Sequence, residues 1–236
     1  MKRIYRRVAT ELAEGGHAVT LDGKRMRTPG RRELLLPTAA LAAAIAAEWD
    51  AQTDEIRPAQ MPLTRLAATA IDRTADQRDL TIAETANYAG TDLVCYRADH
   101  PPTLAERQHA AWQPLLDWAA ERYASRLEVT AGIIPKRQSP AALARFTETV
   151  AAYDNFRLTA LHTATAACGS LIIALALSEG RLNATEASAL SQLDETFQIE
   201  AWGEDAEARQ RREALAADIE ATALFLRLLV EGSRLD

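Results

Sequence analysis

An α+β fold is predicted, with a small antiparallel sheet at the N-terminal end and helices through most of the remaining chain. Three observations predict it. Short apolar runs punctuated by turn residues fill the stretch up to Pro37. Longer alanine-rich segments, with apolar residues three and four apart, follow it. The length of 236 residues suits one large domain or two small ones with a real core.

The strands come first. HAVTLDGKRMRTP holds two short runs around Asp22-Gly23, a dipeptide suited to a tight hairpin turn. ELLLP, Glu33 to Pro37, is a third strand candidate, and an opening strand is expected around Ile4 to Thr10. Helices then begin. In PTAALAAAIAAEWDAQ, Thr38 is the expected N-cap. Leu41, Ile45 and Trp49 share one face there, which makes Trp49 core and structural. MPLTRLAATAIDR carries a second stripe of Leu63, Leu66, Ala67, Ala70 and Ile71. LVCYR, residues 93–97, reads as extended.

The break at His100-Pro101-Pro102 sets the expected domain boundary. An N-terminal α+β domain over 1–100 then precedes a helical domain over 101–236. The second part opens with a long amphipathic helix interrupted at Pro114. LEVTAGIIP reads as a strand pair or a loop. Helices are expected over 140–151, 154–179, 184–202 and 205–231. In the last, Leu215, Ile219, Thr222, Leu226 and Leu229 form a packing seam. Leu158 to Leu177 contains no charged residue, but its Thr, His, Gly and Ser favour a buried central helix over a membrane span.

Charge and composition narrow the function classes. The chain carries 27 Lys/Arg against 33 Asp/Glu, which disfavours generic nucleic-acid binding. The charge is uneven: residues 1 to 32 hold nine cations and three acids, a net +6 within a total of −6. Lys24, Arg25 and Arg27 in the hairpin could steer an acidic partner, or simply form a solvated face. Cys95 and Cys168 lack metal or redox spacing and read as buried free thiols. The opening MKRIYRRVAT has no apolar core of a secretory signal.

No nucleotide loop, nucleophile elbow or zinc motif is present in the sequence, and its four histidines lie in different elements. The distinctive stretch is LDETFQIEAWGEDAEARQRR, Leu193 to Arg212. At about 100° per residue, Leu190, Leu193, Phe197 and Ala201 fall on a core face. Glu195, Gln198 and Trp202 line up on a second stripe at i, i+3 and i+7. Gly203 is expected to end that helix and Asp205 to cap the next, with Asp205–Arg209 and Glu207–Arg211 as surface pairs. Three readings fit. Trp202 packs against the other domain and the acids are solvated or cap a helix; the stripe binds another protein; or Glu195 and Glu204 form an acid–base pair. The last lacks a third group to support a reaction.

VTLDGKRMRTP, LPTAALAAAIAAEWDAQ, MPLTRLAATAIDR, TDLVCYRA, WQPLLDWAAERY and LDETFQIEAWGEDAEARQRR, in this order and spacing, resemble a known family. It is the assembly chaperone for the alpha subunit of the F-type ATP synthase, found in mitochondria and alphaproteobacteria. The resemblance implies an N-terminal α+β domain followed by a C-terminal orthogonal helical bundle. It implies no catalytic residues, no cofactor and no metal. The implied partner is the unassembled alpha subunit, shielded from aggregation and released to the beta subunit.

The family's acidic pair and glutamine fall on Asp194, Glu195 and Gln198, and its tryptophan-glycine on Trp202 and Gly203. Its EWD tryptophan is Trp49 and its opening aromatic is Tyr5. Glu195, Gln198, Trp202 and Asp194 are therefore the expected partner-binding residues, and Trp49 and Gly203 structural ones. A monomer is expected, without nucleic-acid partner or stable membrane insertion. The near-immediate start favours a bacterial cytoplasmic member, with the mitochondrial matrix as the eukaryotic counterpart. The alternative from another class is a small-molecule enzyme with its site between two domains.

Overall fold

The computed structural model describes residues 2–132 and 136–231. They divide into two compact units. The first comprises Met1–Arg78, Asp154–Ala160 and Ala221–Asp236; the second comprises Asp79–Tyr153 and Leu161–Glu220. These units run across the division at residue 100: residues 79–100 fall in the second, and segments from late in the chain join the first.

The first unit is built on a four-stranded antiparallel sheet. Strand β1 (Val8–Ala13) pairs along its full length with β2 (Gly16–Leu21). Strand β3 (Lys24–Arg25) pairs with the end of β2 and β4 (Leu35–Leu36) with its start. The turn between β2 and β3 is the expected Asp22-Gly23, with φ of 49° and 78°. Both values are positive, which asparagine-like side chains and glycine tolerate and a right-twisted two-residue hairpin requires. The opening strand lies later than expected, at residues 8–13 rather than 4–10. Instead of continuing the strand, Tyr5 turns inward and its hydroxyl donates to the Trp49 carbonyl at 2.6 Å.

Helix α1 (Ala39–Asp50) starts at Thr38, as expected. The Thr38 hydroxyl accepts from the Leu41 N–H at 3.1 Å and donates to the Leu228 carbonyl at 2.7 Å. One side chain thus caps α1 and ties it to the chain's last helix. Helix α2 (Pro62–Thr69) continues into a wider turn over Ala70–Thr74, and α3 (Arg78–Asn87) follows. Val19, Leu36, Leu41, Ile45, Ala67 and Phe225 are fully buried in the core of this unit. Each of these side chains other than Ala67 contributes about 1.5–3 kcal/mol of burial free energy.

In the second unit, LVCYR is only partly extended. Leu93–Cys95 is a 3₁₀ turn, capped by Asp92, and only Tyr96–Arg97 forms strand β5. It pairs in parallel with β6 (Thr130–Ala131), inside LEVTAGIIP; residues 133–135 of that segment lie outside the described residues. Helix α4 (Pro102–Tyr123) runs through Pro114 without ending, and α5 (Pro140–Ala151) has the expected bounds.

Two helices expected to be continuous are broken. The 154–179 segment is α6 (Asn155–Cys168) and α7 (Leu171–Ser178). Gly169 between them has φ of 63°, a conformation costly for other residues, and Ser170 caps α7 by accepting from Ile173 N–H at 3.0 Å. The buried Asp92 carboxylate also accepts from Ile172 N–H at 3.0 Å. Every residue from Leu171 to Leu177 is buried, which meets the expectation of a central helix. Among the described residues no helix is long and apolar enough to cross a membrane. The 184–202 segment is likewise α8 (Ala184–Ser191) and α9 (Leu193–Trp202), separated at Gln192. Helix α10 (Ala206–Val230) is the last element among the described residues. A small antiparallel sheet followed by a mainly helical remainder is the α+β architecture that the sequence predicts.

Candidate functional site

Helices α9 and α10 meet at a three-residue turn, and the turn explains the site. Gly203 ends α9 with a positive φ of 84°, its N–H donating to the Ile199 carbonyl at 2.8 Å. Asp205 caps α10 through the Ala208 N–H at 2.8 Å. Trp202 is the last residue of α9, and its side chain is 80% exposed. A tryptophan left in water at a helix end hides almost none of its apolar area.

Beside Trp202 lies a hollow of about 410 Å³. Glu195, Gln198 and Trp202 all line it from α9, with Arg211, Arg212 and Leu215 opposite on α10. The i, i+3, i+7 stripe therefore does converge on one surface feature. Glu195 and Gln198 are exposed, and among the described residues neither makes an ion pair. The core face of α9 is narrower than the periodicity implies. Leu193 is buried, Phe197 is half-buried and Ala201 is exposed, while the break at Gln192 leaves the half-buried Leu190 on α8.

The neighbouring acids have other roles. Asp194 is half-buried and accepts from the Gln108 amide at 2.8 Å; it does not line the hollow. Glu200 pairs with Arg107 at 2.6 Å, and that hydrogen bond holds its carboxyl below the usual range. Glu204 pairs with Arg212 at 2.8 Å and Arg209 at 3.2 Å. The Arg212 hydrogen bond is the main reason its carboxyl also sits low. Arg209 thus pairs with Glu204 rather than with Asp205, while the expected Glu207–Arg211 pair forms at 2.8 Å. Arg212 also donates to the Thr196 hydroxyl at 3.1 Å, which fixes α10 against α9. Sequence reasoning missed Arg212, Arg107 and Gln108 as supports, since their partners are 8, 93 and 86 positions away.

The remaining candidates are placed elsewhere. Lys24, Arg25 and Arg27 are exposed on or beside β3. Arg25 is bonded to Glu11 at 2.6 Å and lies 3.7 Å from Glu33, so part of its charge is answered locally. Trp49 is half-buried, with its indole N–H donating to Thr64 at 3.2 Å. Cys95 and Cys168 are buried and free, as expected. Burial pushes both thiols up, Cys168 to about 12, so neither is a ready nucleophile. Among the described residues no three His, Cys, Asp or Glu side chains form a metal-sized cluster.

The α9–α10 turn thus presents an exposed aromatic beside exposed polar side chains, held by a cross-braced helix pair. Comparisons with known proteins give the family. The model of the ATP12 chaperone protein family matches residues 2–120. The crystal structure of Atp12 from Paracoccus denitrificans is 45% identical to the chain, with a TM-score of 0.93 over 97% of this chain and 98% of that one. A mutant of the same P. denitrificans protein matches at 44% identity and TM-score 0.93, covering 97% of both chains. The mitochondrial protein atp12 of Schizosaccharomyces pombe is 26% identical over 214 residues, 86% of this chain and 74% of the relative. The chain belongs to the ATP12 chaperone protein family. That is the ATP synthase assembly family its sequence resembles.

Proposed function

We propose that this protein binds the unassembled alpha subunit of F-type ATP synthase, keeps it from aggregating, and yields it to the beta subunit. The observation that carries the reading is the near full-length likeness to Atp12 of P. denitrificans. The physical logic is simple. A subunit made for a ring exposes large apolar interfaces before its neighbours arrive. A chaperone that covers one of them suppresses aggregation. A partner that binds the same interface more tightly displaces it by mass action, without any reaction. The protein is then not an enzyme, and it works as a monomer in the bacterial cytoplasm or, in eukaryotic relatives, the mitochondrial matrix.

In this reading Glu195, Gln198 and Trp202 contact the alpha subunit. Their exposure and shared hollow support that role. Asp194, held by the Gln108 amide at the start of the same helix, belongs to the same partner-binding group. The test is light scattering of purified alpha subunit diluted from denaturant without nucleotide. An equimolar amount of this protein should suppress scattering, and a one-to-one complex should appear on a sizing column and dissolve on adding beta subunit. Unchanged scattering with no complex would refute the proposal.

A further inference from the structure

A second surface lies entirely within the first unit. Met26, Leu34, Trp49, Ile56, Met61 and Ala68 contribute to a hollow of about 510 Å³ beside the sheet. Apart from the initiator, Met26 and Met61 are the chain's only methionines, and both sit here. Both are buried at its floor, where flexible thioether side chains let an apolar pocket adapt to what enters it. The Trp49 indole N–H is already bonded to Thr64, so this side chain offers the hollow only its apolar ring.

The rim is basic. The exposed residues Arg27 and Arg73 line it, and among the described residues neither guanidinium has a carboxylate partner. The one acid in the lining, Asp72, is already engaged. Its two oxygens accept from the Thr28 hydroxyl and the Gly30 N–H, both at 2.7 Å. The hollow therefore presents an apolar floor with positive charge at its edge. The α9–α10 surface differs, since carboxylates and arginines both line the hollow beside Trp202.

We propose that this hollow binds an apolar segment of the client polypeptide with carboxylates beside it. The bulky side chain enters between the methionines and Trp49, and the acids meet Arg27 and Arg73. Charge complementarity chooses this occupant, since an apolar segment flanked by lysines would bring like charges together. The inference rests on the chaperone reading for its client, and it gives that client a second point of attachment.

The probe is a fluorescein-labelled dodecapeptide with a Leu-Phe-Leu core followed by glutamates, compared with the same peptide carrying lysines. Anisotropy should show the acidic peptide binding about tenfold tighter or more at low salt. Ala68→Phe, which fills the hollow from a half-buried position on α2, should weaken it about tenfold. Arg27→Glu with Arg73→Glu should invert the preference. This double variant changes only exposed side chains, so it decides the matter should Ala68→Phe fail to fold.

Absence of peptide binding, or binding that ignores charge and both variants, overturns the proposal. So does a dimer on the sizing column that Ala68→Phe disperses, since the occupant would then be a second copy. The two readings fail separately. Variants that lose the peptide site but hold alpha subunit as well as the wild type remove this inference and leave the chaperone function standing. Wild-type protein that ignores alpha subunit removes the function, while the peptide titration still judges the hollow.

Discussion

The chain pairs a glutamate with a tryptophan in two places, and it uses them in opposite ways. In the first unit, Glu48 and Trp49 turn their polar atoms inward. The Glu48 carboxylate accepts from Leu63 N–H at 2.7 Å, Thr64 N–H at 2.8 Å and the Thr64 hydroxyl at 2.6 Å. That hydroxyl in turn accepts from the Trp49 indole. The group caps α2 and locks it to α1. In the second unit, Glu195 and Trp202 leave their polar atoms and most of the indole in water. The same residue types thus bond one another's polar atoms within the protein in one place and leave them to water in the other. Composition alone does not separate the two; hydrogen-bond satisfaction does.

The contrast can be broken by mutation. The largest effect is expected at Trp49→Ala, which removes the ring packed against Tyr5 at 5.8 Å and the bond to Thr64. It should destabilise the protein by about 3 kcal/mol, read from urea unfolding at constant m-value. Glu48→Gln removes one of two acceptor oxygens from the α2 cap and should cost about 1–2 kcal/mol in the same assay. Glu195→Lys should leave stability within about 0.5 kcal/mol. It should nonetheless weaken alpha-subunit binding at least about tenfold, measured by titration on immobilised alpha subunit. Comparable stability losses at Glu195 and Glu48 would erase the distinction.

Acidification sharpens the comparison further. The carboxyls of Glu200 and Glu204 sit below their ordinary value because arginines bond to them. Their contribution to stability is present above the unfolded carboxylate pKa and is lost as pH falls through the lower folded value. The α9–α10 turn should therefore open on acidification below the ordinary glutamate range, seen as faster proteolysis near Gly203. Glu204→Gln should remove the Glu204 share of that pH dependence and leave the share carried by Glu200 and Arg107. The smallest effect is expected from replacing Lys24, Arg25 and Arg27 with Ser. Association with the alpha subunit should slow at low salt and match the wild type at high salt. No change at low salt would remove steering from the account.

Local signals in the sequence were read well. Thr38, Asp22-Gly23, Asp205 and the bounds of α5 each follow from a cap or turn residue acting within four positions. The break at Gly169-Ser170 carried such a signal too, but apolar residues on both sides hid it. The break at Gln192 has no breaker residue, so it comes from packing. The stripe of Glu195, Gln198 and Trp202 was legible because helical spacing alone brings it together. Its supports were not, since Arg107–Glu200 and Gln108–Asp194 join residues far apart in the chain. The apolar hollow beside Trp49 was hidden for the same reason. Met26, Ile56 and Met61 lie in different elements, and nothing local announces that they meet.

The most direct test sets stability and binding side by side for Trp202→Ala. The melting temperature should stay within about 2 °C of the wild type, while affinity for the alpha subunit falls at least about tenfold. Unchanged affinity would contradict the claim that the α9–α10 surface is where the client is held.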